Sequence, residues 1–564
     1  MSKKVNNEAV KLASGNLRGT VAQELQNNEP TFSAESQYLL KFHGIYEQHD
    51  RDTKRGQTHE HYHSFMIRSK VPAGQLTPAQ YIAHDDLSQR YADGTLRITT
   101  RECFQFHGVI KGELWQTIHD LNSALITTFG ACGDVVRNVM ACPAPTTHLH
   151  RLAVQAKAFE LTQALFPRTS AYHQIWVDGE AVTDDKNIVD PLYGKTYLPR
   201  KFKIALAYAG DNCVDVYTND VGLVALFDAD DTLMGFNLLA GGGMGMTHNN
   251  EDTFPRLADV VGFIEPDQVE EAVRQIVGIH RDFGNRENRK QARLKYVIHE
   301  IGLESFRALL QDRLSFRLND PEPMPPFQVE DHLGWHEQGD GNYYLGLPVE
   351  SGRIADRGQQ RLRSGLRHLV EHYELPVRLT AQQNILLANI APELRPEIDH
   401  VLAEHHIPQV GQLSGIRRFA LACPALPTCS LAITEAERAL PKLLDQFETL
   451  LDDLGIPEDE IVLRMTGCPN GCARPYMAEI GLVGRSLDKY TLYLGGSFEG
   501  TRLAQPFLDL VHIDEVIGTL RPILQAYQAN RYPYERLGDF VTRQGLDSLR
   551  NLLHSDSLTV EATH

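Results

Sequence analysis

Apolar and polar residues alternate in the same frame in two distant stretches of the chain, LRITTRECFQFHGV (Leu96 to Val109) and VRLTAQQNILLANI (Val377 to Ile390). A period of two marks a strand with one buried face. Each stretch follows a segment patterned like a helix: LTPAQYIAHDDLSQRYADG, which opens on Thr-Pro and closes on Gly, and RLRSGLRHLVEHYELP. A further helix-like run comes after each, ELWQTIHDLNSALITTFG and ELRPEIDHVLAEHHI. This order of elements predicts an α+β half-domain of the ferredoxin-like kind, written twice.

The register holds beyond the two halves. The same 43 residues separate Thr99 from Cys142, in MACPAPTT, and Thr380 from Cys423, in LACPALPTC. A weaker echo pairs GFNLLAGGGMG (Gly235 to Gly245) with YTLYLGGSFEG (Tyr490 to Gly500), each a strand running into glycines. Repetition at constant spacing indicates duplication. The expected fold is α+β, internally duplicated and pseudo-twofold, with two ferredoxin-like half-domains covering each other's sheet edges in one central domain, and two further α+β domains. The expected boundaries are an N-terminal extension at 1–65 that wraps the surface, half-domains at 66–129 and 335–408, and larger domains at 130–334 and 409–564. NDPEPMPPF (319–327) reads as the linker between the copies.

A chain of 564 residues is too long for one core, which agrees with several domains. Its net charge of −18 argues against a general nucleic-acid binder and makes any local cluster of Lys and Arg an exception to the global field. No run of 18 apolar residues occurs and the first residues lack an apolar signal core, so no membrane association and a cytoplasmic location are expected. No Gly-x-Gly-x-x-Gly fingerprint opens a helix, and AGGGMGM does not fit one, so nucleotide cofactors are not expected on this chain.

Eight cysteines in a reducing compartment point away from disulfides. Cys103, Cys132, Cys142 and Cys213 are scattered. Cys423-x5-Cys429 and Cys468-x3-Cys472, the second pair inside TGCPNGCARP, form a set of four. Four thiolates in Pro- and Gly-rich loops suit a cubane iron–sulfur cluster. A structural zinc ion is the alternative, although its pairs favour two to four intervening residues, and four unliganded core cysteines are a third reading. Basic residues also alternate on apparent strands: Arg68 and Lys70 in FMIRSKV, Lys201 and Lys203 either side of Phe202 in LPRKFKIAL, with Arg137 in DVVRNVM. Residues two apart on a strand share a face, and a solvated face is the simpler reading of each. The HEHYH run (His59, His61, His63) reads as a polar loop, His107 as a core histidine and Cys142 as a packing cysteine.

Taken together, the cysteine pattern, the duplication and the segments KFHGIYEQHDRD, FQFHG, RTSAYHQIWVDGE, LPRKFKIA and GFNLLAGGGMG resemble the sulfite and nitrite reductases that hold a siroheme coupled to a 4Fe-4S cluster. The resemblance covers nearly the whole chain. It implies an oxidoreductase whose cluster is held by Cys423, Cys429, Cys468 and Cys472, with the Cys472 thiolate also the axial ligand of siroheme. It implies siroheme contacts from Arg101, Gln105, His107 and Asn470, and catalytic roles toward sulfite for Arg68, Arg137, Lys201 and Lys203. It further implies six-electron reduction of sulfite to hydrogen sulfide, with electrons from a flavoprotein subunit carrying FAD and FMN and oxidising NADPH. The alternatives are a ferredoxin donor, and nitrite as substrate; Lys203 stands where the nitrite reductases commonly carry Asn. Leu426 departs from the aromatic residue that the family often has there. A non-enzymatic scaffold stabilised by zinc or a cluster is the alternative of another class.

Overall fold

Each ferredoxin-like half is a sheet one strand short, and its twin supplies the missing strand. In the first half, Ile45–His49, His63–Arg68, Phe104–Val109 and Leu96–Ile98 are completed by Arg353–Ile354 of the second copy. In the second, Gly334–Glu337, Tyr343–Leu347, Ile385–Ile390 and Val377–Leu379 are completed by Gln75–Leu76 of the first. The exchange is reciprocal, with Arg353 opposite Arg97 and Gln75 opposite Arg378. It covers an edge that would otherwise present unpaired backbone groups. The computed structural model describes residues 6–52, 63–168 and 189–560, and the backbone of a short strand pair at 176–177 and 180–181. His59, His61 and residues 169–175 and 178–179 of RTSAYHQIWVDGE lie outside the described residues.

The donated strands leave matching turns, Pro72–Gly74 and Glu350–Gly352, whose middle residues Ala73 and Ser351 are left-handed (φ 47° and 52°). The glycines that end these turns press against the opposite copy. A Cβ on Gly74 would stand 2.2 Å from the Leu379 carbonyl oxygen, and one on Gly352 would stand 2.3 Å from that of Ile98. With φ also positive at both, only glycine fits.

The two halves share one core, in which Phe65, Ile67, Phe104 and Phe106 pack with Leu345, Leu347, Ile385 and Leu387. Helices Pro78–Tyr91 and Leu362–Tyr373 cross over it. The first starts where the LTPAQ signal places it: Thr77 forms a capping box with Gln80, and Pro78 takes the first position, where no backbone donor is needed. Buried Asp85 of this helix accepts from Arg363 and Arg367 of the other, each at 2.7 Å.

The two larger domains repeat one topology. Val136–Ala141, Phe202–Tyr208 and Val221–Phe227 run parallel, followed by antiparallel Leu233–Ala240 and Asp259–Ile264. The second copy has Leu421–Ala422, Leu463–Thr466 and Ile480–Ser486, then Lys489–Leu494 and Gln505–His512. Even the register matches, since Ile204 faces Val221 and Leu463 faces Ile480 at a constant offset of 259 residues.

The N-terminal extension needs correction. Ile45–His49 is the edge strand of the first half, paired residue by residue with His63–Ile67, so the copy begins before residue 65. Five residues followed by a long polar connection are too short to show a period. The preceding residues do cover a surface: Lys11 donates to the Leu198 carbonyl at 2.9 Å and Tyr38 to Asp134 at 2.6 Å. His63 opens a strand rather than lying in a loop, with its Nδ1 2.8 Å from Glu47 Oε1.

If the exchanged strands hold the halves together, Gly74→Ala lowers stability by about 2–4 kcal/mol through backbone strain and collision. Gly112→Ala, whose Cβ would meet nothing within 4 Å, changes it by less than about 0.5 kcal/mol. Thermal unfolding of both variants beside the parent tests this.

Candidate functional site

Parallel pairing of Leu421–Ala422 with Leu463–Thr466 brings the two cysteine loops to the same carboxyl end of adjacent strands, the usual place for a site in such sheets. The Gly467 N–H donates to Cys423 Sγ at 3.3 Å, and Asn470 Nδ2 to Cys468 Sγ at 3.4 Å. Cys423 and Cys468 are buried, Cys429 half-buried and Cys472 exposed. Burial, reinforced by the neighbouring thiolates, pushes Cys423 well above the ordinary thiol range, Cys429 upward, and Cys468 up to about 12. Four thiolates here need a positive centre. The all-sulfur donor set in Pro- and Gly-rich loops fits an iron–sulfur cluster.

Arg474, two residues after Cys472, fixes this loop. It takes a left-handed conformation (φ 56°), donates through Nε to Asp215 at 2.5 Å, through Nη1 to the Thr100 carbonyl at 3.0 Å and through Nη2 to the Ala381 carbonyl at 3.1 Å. Asp215, also left-handed (φ 50°), receives Arg464 as well, at 2.6 Å. Thr100 in turn donates to the Cys472 carbonyl at 3.0 Å.

Cations converge beside Cys472. Burial opposes the charge on Arg68, and Cys132, Tyr46, Cys103 and Cys472 outweigh it. Burial, then Arg200 and Arg293, pulls Lys201 down to about 7, while burial, then Lys201 and Arg101, holds Lys203 well below the lysine range; Cys472 opposes both shifts. Arg137 is held by three bonds to the carbonyls of Gly133 and Ala131, at 2.6 to 3.1 Å. A cavity of about 970 Å³ opens next to this group, with Arg200, Lys201, Arg293, Lys295, Gly245 and Asn470 in its wall. Basic groups brought together here, and depressed by burial and by one another, make a cradle for an anion of several charges.

Arg68 and Gln105 are direct cross-strand partners, and Gln105 is opposite Arg97, so one row of side chains crosses the sheet. Arg68 Nε, Gln105 Oε1 and His107 Nε2 are buried without hydrogen-bond partners. Those orphaned atoms fit a large polar cofactor such as siroheme against this face. His107 is therefore only half the satisfied core histidine expected, with Nδ1 3.1 Å from Gln48 Oε1. Arg101 is mostly occupied by the protein itself: it donates to Asn219 Oδ1 at 2.8 Å and to the carbonyls of Asn138 and Ile204 at 2.5 and 3.0 Å.

Sequence reasoning missed Arg200, Arg293 and Lys295. The segment RKQARLK (289–295) carries four cations in seven residues of an acidic chain, which was the available signal. Arg293 pairs with buried Asp220 at 2.6 Å. Lys295, pulled down to about 6 by burial and Arg293, donates to the Gly243 and Gly245 carbonyls at 3.0 and 2.9 Å and so shapes the glycine run. Also missed was Glu437, which accepts from Arg97 and Arg353 at 3.0 and 2.7 Å behind the first cysteine loop and donates its N–H to the Cys423 carbonyl at 3.1 Å.

Four cysteines spaced for a cluster, beside a cationic cavity, define a metal-dependent redox protein. Comparison with known proteins gives the same class a family. The nitrite and sulphite reductase 4Fe-4S domain matches residues 156–318 and 417–560, and the nitrite/sulfite reductase ferredoxin-like half domain matches 57–124 and 336–405. The chain is 45% identical over 546 residues to a sulfite reductase [NADPH] hemoprotein beta-component of Methylobacterium nodulans, covering 96% of this chain and 90% of that one. It is 43% identical over 567 residues to a sulfite reductase [ferredoxin] of Synechococcus elongatus, covering 97% and 90%. The solved NirA protein of Mycobacterium tuberculosis shares the fold, with a TM-score of 0.78 at 23% identity over 97% of both chains. The chain belongs to the nitrite and sulphite reductase family.

Burial alone would raise the Glu437 carboxyl, but Arg353 and Arg97 outweigh it and hold it at about 2. A depressed carboxylate stabilises the fold above its unfolded value near 4.5 and loses that contribution as pH falls toward 2. Glu437→Gln is therefore expected to destabilise the protein by about 3 kcal/mol at pH 7, with the gap to the parent closing between pH 4.5 and 2. Urea unfolding across that range measures it; a gap independent of pH would contradict the assignment.

Proposed function

We propose that this chain reduces sulfite to sulfide at a siroheme coupled to a 4Fe-4S cluster. The observation that carries the reading is the gathering of Arg68, Lys201 and Lys203 around Cys472, the exposed member of the four-cysteine set. Cys423, Cys429, Cys468 and Cys472 would hold the cluster, and Cys472 would also hold siroheme; Arg101, Gln105, His107 and Asn470 would meet the macrocycle. Once bound, these groups supply an electron-rich iron and an adjacent electron store.

The remaining work falls to the side chains. The overall change is HSO3− + 6 e− + 6 H+ → HS− + 3 H2O, so every oxygen leaves as water and needs protons. Arg68 and Arg137 are permanent charges suited to holding the oxyanion. Lys201, with its proton affinity lowered to about 7 by burial and Arg200, is tuned to give up and regain a proton near neutrality, and Lys203 is depressed by the same surroundings. An anion in the cavity would restore the charge of both.

Sulfite is favoured over nitrite by the lysine at position 203 and by the names of the relatives above. The donor is an NADPH-oxidising flavoprotein subunit or a ferredoxin; relatives of both kinds stand at 45% and 43% identity, and the NADPH-linked reading follows the relatives at 42 to 45% identity that carry that name.

With reduced methyl viologen as donor, kcat/KM for sulfite is expected to exceed that for nitrite, and Lys203→Ala to lower kcat for sulfite by roughly 10²-fold while the absorption spectrum stays that of the parent. A clear preference for nitrite, or unchanged turnover in the variant, would overturn the respective assignment.

A further inference from the structure

The pseudo-twofold carries the cysteine positions of the second copy onto the first. Cys142 follows its strand as Cys423 does, at the offset of 281 residues that also relates Thr99 to Thr380. Cys213 precedes left-handed Asp215 and the turn Val216–Thr218, as Cys472 precedes left-handed Arg474 and the turn Pro475–Met477. Two of the four cluster positions thus keep their cysteines in a copy with no cluster assigned to it.

These two thiols are not simply packed, as was expected of Cys142. Cys142, Asp211, Cys213 and His332 are all buried, and one ligand atom from each lies within 4.8 Å of all the others. His332 Nε2 stands 3.3 Å from Cys142 Sγ and 2.8 Å from Asp211 Oδ2. Both neighbours converge on the same ring nitrogen. A nucleophilic relay needs the thiol on one nitrogen and the carboxylate on the other, and it needs access, which none of these side chains has. Convergence of two sulfurs, a nitrogen and an oxygen on one enclosed point is instead the donor set of a tetrahedral structural zinc ion, whose bonds of 2.0–2.3 Å place ligand atoms roughly 3.3–3.8 Å apart, so the 2.8 Å contact of His332 with Asp211 would open by roughly 0.5 Å around the ion.

The surroundings complete the case. Glu330 lies 3.4 Å from the other nitrogen of His332, which is buried without a hydrogen bond, so a small approach would let that carboxylate orient a metal-bound imidazole. Two thiolates and one carboxylate leave a divalent site with one negative charge, and Arg151 faces it, 3.5 Å from Asp211 Oδ2 and 2.6 Å from Glu330.

We propose that Cys142, Asp211, Cys213 and His332 form a closed zinc site, separate from the iron–sulfur cluster, that staples the connection between the two copies to the first large domain. Cys142 comes from the end of one strand, Asp211 and Cys213 from the turn after its neighbour, and His332 from the segment leading into the second half. The proposal does not depend on the redox reading.

Metal analysis of the iron-loaded, full-length chain is expected to find about one zinc per chain, and zinc-edge X-ray absorption to show two sulfur and two lighter ligands. In Cys142→Ser/Cys213→Ser, zinc should fall to background while iron and the visible spectrum persist. A folded, iron-loaded chain without zinc overturns the proposal, as does a zinc shell of four sulfurs, which would place the ion at the cluster cysteines. If the double variant fails to fold, the absorption measurement on the parent chain still decides between these outcomes.

Discussion

One guanidinium joins all four quarters of this molecule. Arg474 belongs to the second large domain; its partners are Asp215 of the first large domain, Thr100 of the first ferredoxin-like half and Ala381 of the second. Thr100 and Ala381 occupy equivalent positions of the repeat, as do Asp215 and Arg474 themselves, so the cluster of bonds sits where the pseudo-twofold requires the copies to meet. The planar fork of arginine serves a carboxylate and two carbonyls at once, in fixed directions from three separate nitrogens. Because Cys472 is two residues away and its carbonyl is held by Thr100, the same network positions the cysteine from which the proposed chemistry radiates. Removing it would leave buried acceptors unpaired, each at about 1–3 kcal/mol.

Around that centre the protein places cations where its own charge least favours them. A chain of net charge −18 offers many carboxylates, and some are used: Asp220 holds Arg293, Asp134 holds Arg289, and Glu437 holds Arg97 and Arg353. Lys201 instead adds its charge to those of both Lys203 and Lys295. An anionic ligand placed among them would raise their depressed proton affinities. Ligand binding of this kind stabilises the folded state by mass action.

The duplication was legible in the sequence because strand alternation and the spacing from Thr99 to Cys142 survive in both copies. The strand exchange was not, since Gln75–Leu76 and Arg353–Ile354 are two residues each and show no period. The same brevity hid Ile45–His49. The two cysteine pairs proposed to hold the cluster stood out by spacing alone. The anion site was only partly visible: Lys201 and Lys203 were marked by alternation, whereas Arg293 and Lys295 lie on a turn and a helix start whose basic run has no strand pattern. Arg474 and Glu437 were missed because their roles lie in contacts with residues more than 80 positions away. Cys142 was read as packing because its partners Cys213 and His332 are 71 and 190 residues distant.

The most direct test of the place given to Arg474 is to replace it with methionine, which keeps length and apolar stem but donates no hydrogen bond, and to measure iron per chain alongside far-ultraviolet circular dichroism. The cores of the separate domains do not include this residue, so secondary structure should persist while iron falls to a small fraction of the parent value. Full iron content in a folded Arg474→Met chain would contradict the account.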